Sequence, residues 1–119
     1  MRRKQRFEVQ RFKVPEVIFV QFDGSRLQVT GPIGDTVLDL ALDNGVPGIL
    51  GQCGGGCTCV TCHCYVHAPW FSQLVSPHRD ETDMLEYAID RKPCSRLACQ
   101  IKLTDALDGM VVSLPETQL

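Results

Sequence analysis

The stretch from Gly51 to His67, GQCGGGCTCVTCHCYVH, packs five cysteines into seventeen residues: Cys53, Cys57, Cys59, Cys62 and Cys64. Two more lie downstream, Cys94 and Cys99. Gly54, Gly55 and Gly56 interrupt the run; without a Cβ they let the chain curl through positive φ and bring backbone N–H groups close to whatever the thiols hold. No apolar run approaches the roughly 18 residues of a membrane span, and the N-terminus lacks the apolar core of a secretory signal. Seven cysteines are an odd number, which weakens a disulfide framework, and clustered thiols in a reducing compartment point instead to metal or redox chemistry.

The 119 residues fit the size of one compact domain, with 44% hydrophobic and 22% charged residues and no repeats. A net charge of −2 hides an asymmetry: residues 1–14 carry Arg2, Arg3, Lys4, Arg6, Arg11 and Lys13 against Glu8, a sum of +5, which leaves −7 for the rest. We read 1–14 as a basic, solvated extension and 15–119 as the folded domain. Along that domain, VIFVQFDGSRLQV (17–29) predicts two strands around an Asp23-Gly24 turn. GDTVLDLALDNGV predicts a helix capped by Thr36 with Asp39 three residues on, facing inward through Val37, Leu40 and Ala41 and stopped at Asn44-Gly45. CYVHA predicts a strand, PWFSQLVSP an irregular crossing, RDETDMLEYAID a second helix, and SRLACQIKL and MVVSLP two more strands. The order ββαβαββ implies an α+β fold, a mixed sheet with a helix packed across it.

The gaps between cysteines carry the chemistry. Five residues separate Cys53 from Cys59, two separate Cys59 from Cys62, and thirty-six separate Cys62 from Cys99. The spacing C-x5-C-x2-C-x36-C, with its flanking TCH and SRLACQI, resembles the vertebrate-type, adrenodoxin- and putidaredoxin-like [2Fe–2S] ferredoxins. The resemblance runs from about Val17 to Pro115. It implies a β-grasp fold with a cluster-binding loop and a [2Fe–2S] cofactor held by Cys53, Cys59, Cys62 and Cys99, the first two on one iron and the last two on the other. Four thiolates are what such a core requires. Rival centres fit less well: the plant-type spacing would need a cysteine where Tyr65 or His67 stands, a Rieske centre needs C-x-H as well as C-x2-H, and a zinc site leaves the glycines unexplained. Cys57, Cys64 and Cys94 fall outside the ligand set and are read as packed thiols; His63 is read as a structural hydrogen-bonding group.

A second constellation lies at 80–90. At about 100° per residue, Asp80, Asp83, Glu86 and Asp90 fall on one helix face, opposite Met84, Leu85, Ala88 and Ile89. In the resembled family this acidic face docks basic patches on a ferredoxin reductase and on the electron acceptor, with Asp83 and Glu86 at the positions that matter most. Arg79 departs from the acid common in relatives, and the final PETQL lacks the terminal aromatic of some bacterial members. Trp70 and Phe71 are read as cover for the core. No nucleophile–base pair or phosphate-cradling loop occurs, so the chain is expected to be a one-electron carrier rather than an enzyme. The resemblance implies as partners an NAD(P)H-dependent FAD flavoprotein reductase and a cytochrome P-450 monooxygenase, whose bacterial carriers the CGGGC run resembles, with iron–sulfur cluster assembly as the alternative destination. Neither nucleic acid nor a membrane is expected as a partner. The expected setting is a monomer in a bacterial cytoplasm, with the mitochondrial matrix as second choice.

Overall fold

A computed structural model describes residues 14–49 and 61–118. The chain opens with a hairpin, β1 (Glu16–Val20) and β2 (Arg26–Thr30), paired from Glu16 opposite Thr30 to Val20 opposite Arg26. Asp23 and Gly24 make its turn: Gly24 takes φ +93°, and the Asp23 carboxylate accepts from the Ser25 backbone N–H and hydroxyl. Positive φ at this turn is the reason a glycine stands there.

Three further strands complete one mixed sheet: β3 (His63–Val66), β4 (Ser95–Leu97) and β5 (Met110–Ser113), in the order β2-β1-β5-β3-β4. β5 runs parallel to β1, and every other pairing is antiparallel. Alternation along β1 and β5 turns Val17, Phe19, Met110 and Val112 into the core. Against this face packs α1 (Val37–Asp43), contributing Val37, Leu38, Leu40 and Ala41. Its start is a capping box, with the Thr36 hydroxyl accepting from Asp39 N–H at 3.0 Å and the Asp39 carboxylate accepting from Thr36 N–H at 3.2 Å. Two short helices follow, α2 (Trp70–Gln73) and α3 (Arg79–Leu85). No helix among the described residues is long and apolar enough to cross a membrane. The architecture is the α+β, β-grasp arrangement expected.

Three elements differ from the sequence expectation. α3 stops at Leu85 with Glu86 as its C-cap, so Asp90 does not share the helical face of Asp80 and Asp83. The chain tightens there into i→i+3 bonds, from Tyr87 N–H to Met84 O and from Ala88 N–H to Leu85 O, and Asp90 takes a left-handed φ of 56° while its carbonyl accepts from the Tyr65 hydroxyl. β4 ends at Leu97, and Cys99 sits on a following 3-10 turn, Ala98–Gln100, rather than on a strand. That turn closes because Ala98 N–H bonds Cys62 O and Ile101 N–H bonds Ala98 O. The crossing read as irregular contains α2, whose Trp70 and Phe71 pack half-buried on the core as cover for it.

Candidate metal centre

Cys62 immediately precedes β3, and Cys99 lies two residues past β4. The antiparallel pairing of these strands places His63 opposite Leu97, and the ladder continues one step further through the Ala98 N–H to Cys62 carbonyl bond at 2.9 Å. Register alone therefore brings together two cysteines thirty-seven positions apart. Both are buried, and their thiols share a hydrogen bond. That contact with Cys99, together with burial, pushes the Cys62 thiol far up. Two adjoining thiols in apolar surroundings stay protonated by themselves; metal charge is what makes thiolates favourable in such a place. The Gln100 side-chain amide donates to Cys99 Sγ at 3.4 Å, a contact that suits an electron-rich sulfur. The donor set fits an iron–sulfur centre. Cys53 and Cys59, the other two expected ligands, lie outside the described residues, as do Cys57 and the three glycines.

Two further cysteines lie among the described residues, Cys64 and Cys94. Cys64 is fully buried on the core face of β3, and burial holds its thiol up at about 12. Cys94 is half-buried, at the approach to β4. His63 makes the structural bond expected of it: its Nε2 lies 2.7 Å from Ser95 Oγ, which also accepts Lys92 N–H, and its ring meets Tyr65 edge-on at 4.9 Å. Burial, reinforced by nearby Arg91, lowers its pKa to about 4, so the imidazole is neutral.

Glu81 is the acid that the sequence reading passed over. On α3 it points inward, 1% exposed, and grips Arg96 in a two-pronged pair: Nε to Oε2 at 2.6 Å and Nη2 to Oε1 at 2.9 Å. Its Oε2 also accepts Leu97 N–H at 2.9 Å, while Arg96 Nη1 donates to Val75 O at 3.0 Å. The helical wheel held the signal, because Glu81 falls among the core-facing residues and a buried carboxylate demands a cation. This clasp ties α3 to the strand that leads into Cys99. On its outer side α3 presents Asp80 and Asp83, with Glu86 at its cap, all exposed. Asp80 lies 3.8 Å from His78, whose Nδ1 accepts from Asp80 N–H; no ion pair to Asp83 or Glu86 occurs among the described residues.

A mixed sheet that brings a buried cysteine pair together, tied through Glu81 and Arg96 to an acid-faced helix, fits the iron–sulfur ferredoxin class. The sequence matches the 2Fe-2S iron-sulfur cluster binding domain over residues 20–104. It is 44% identical over 102 residues to the ferredoxin CarAc of Sphingomonas sp, covering 86% of this chain and 94% of that one. A ferredoxin crystal structure from Rhodopseudomonas palustris HaA2 matches with a TM-score of 0.86 at 40% identity, covering 88% of this chain and all of that one. A chain of the covalent putidaredoxin reductase–putidaredoxin complex matches with a TM-score of 0.80 at 39% identity, covering 84% and 97%. The chain belongs to the [2Fe–2S] cluster-binding family, among its adrenodoxin- and putidaredoxin-like members, and its cofactor is a [2Fe–2S] cluster. It is an electron carrier of that family.

Proposed function

We propose that this chain shuttles single electrons from an NAD(P)H-dependent FAD flavoprotein ferredoxin reductase to a cytochrome P-450 monooxygenase. Residues 15–119 form the ferredoxin domain, with 1–14 a basic extension, and Cys53, Cys59, Cys62 and Cys99 hold the cluster. When bound, the cluster supplies a store for one electron. The observation that carries the reading is the contact between the Cys62 and Cys99 thiols at the end of a strand clasped to α3 through Arg96 and Glu81. A docking helix fixed to the strand that leads into a ligand presents its charge at a constant position relative to the metal site. Asp83 and Glu86, exposed and without a neutralising cation among the described residues, leave a negative field that steers a basic partner to this face. Asp80 adds to it, while Asp90 contributes from the turn beyond the helix. The matched putidaredoxin was captured with its reductase, which supports a reductase as the donor. The Cys53–Cys57 glycine run favours a P-450 acceptor over cluster assembly.

Combining the purified holoprotein with NADH or NADPH, an FAD ferredoxin reductase and candidate P-450 enzymes tests this directly. Product formation that depends on the chain is the expected result. Reduction of the chain with no P-450 turnover, alongside support of cluster formation on an assembly scaffold, would give the acceptor role to the assembly machinery instead.

A further inference from the structure

The segment after β5 carries a buried polar side chain that neither the fold nor the docking face uses. Gln118 is 7% exposed, and its Nε2 donates two hydrogen bonds, to Gly48 O at 2.8 Å and to His63 O at 2.8 Å. Those carbonyls belong to residues on either side of 49–62, which bear Cys53, Cys59 and Cys62. One nitrogen holding both keeps the two oxygens no more than twice 2.8 Å apart. The amide orientation follows from the chemistry, since its oxygen in that place would face two acceptors. Its Oε1 is left buried with no hydrogen-bond partner. Leaving such an acceptor bare costs roughly 1–3 kcal/mol, a cost an apolar side chain would avoid. Leu114, 3% exposed and against Gly48, already anchors this segment by burial. The amide therefore does something anchoring does not require.

We propose that Gln118 is a positioning residue for the cluster: it holds both ends of the cysteine-bearing segment at a fixed span, and so sets cluster retention and reduction potential. Fixing the ends removes loop-closure entropy from the step of gathering three ligands from one segment. A span that cannot widen also limits water at the metal site, and solvent exposure is one of the quantities that set the potential of such a centre. The inference rests on Cys62 being a ligand, which Cys62→Ser tests separately by losing the cluster whatever stands at 118.

The experiment compares the full-length holoprotein with Gln118→Met, which retains length without a donor, and with Gln118→Asn, which retains the amide one methylene shorter. Cluster loss to an iron chelator is followed by visible absorption, the midpoint potential by dye-mediated titration, and the fold by circular dichroism. Losing two bonds predicts chelator stripping on the order of tenfold faster for the Met variant. Its potential moves to more positive values, because added water favours the extra negative charge of the reduced state. The Asn variant falls between, and carries the comparison should Met disturb folding. Wild-type stripping rates and potentials in both variants would overturn the proposal. So would a lower melting temperature with an unchanged potential, which would make Gln118 a tail anchor and nothing more.

Discussion

At the scale of single residues, two kinds of buried pair hold the site together, and each makes a separable prediction. Cys62 and Cys99 meet as thiols through strand register, whereas Cys57 falls outside the proposed ligand set. Cys99→Ser is expected to lose or badly destabilise the cluster and Cys57→Ser to retain it, as read from visible absorption of the purified variants; the reverse pattern would overturn the ligand assignment. Glu81 and Arg96 are the second pair, with side chains 1% and 5% exposed. Glu81→Gln leaves the guanidinium buried opposite a neutral amide, and breaking a buried pair from one side costs about 3–5 kcal/mol. Chemical denaturation of the variant should show a loss of that order, and a loss under about 1 kcal/mol would mean that the clasp contributes little to the native state.

At the scale of elements, α3 carries the acids of the proposed docking face, and its early end changes which acids count. Reversing Asp83 and Glu86 together to Lys should cut reductase-coupled turnover at least tenfold while leaving the visible spectrum unaltered. Asp90→Lys, beyond the helix and in a turn, should cut it far less; equal effects would mean that the face extends past the helix. The helix itself was legible in its 3.6-residue period, as was α1 in its Thr36–Asp39 box and the first hairpin in Asp23-Gly24. The end of α3 was not, and the turn beyond it is held by a distant partner, Tyr65, twenty-five positions from Asp90 and donating to Asp90 O. Likewise the 3-10 turn under Cys99 is closed by Ala98 bonding to Cys62, a contact no local pattern encodes. The cysteine spacing pointed to the cofactor, whereas the Glu81–Arg96 clasp and the bonds from Gln118 to Gly48 and His63 emerge once the fold brings distant segments together.

At the scale of the whole molecule, the sheet acts as a frame that places thiols at one end and negative charge beside them. Residues 1–14 are proposed to be an extension separate from the ferredoxin domain. Deleting residues 1–14 should therefore leave iron content and visible absorption at wild-type levels, and an apo product would show that the extension belongs to the cluster-binding unit. The central claim is that this frame cages a [2Fe–2S] cluster able to take up a single electron. The most direct measurement is electron paramagnetic resonance of the anaerobically purified chain before and after dithionite, with assays of iron and acid-labile sulfide on the same sample. The account predicts iron and sulfide in equal amounts, silence in the oxidised state and a signal of one spin per chain on reduction. Protein free of sulfide, or silent after dithionite, would contradict it.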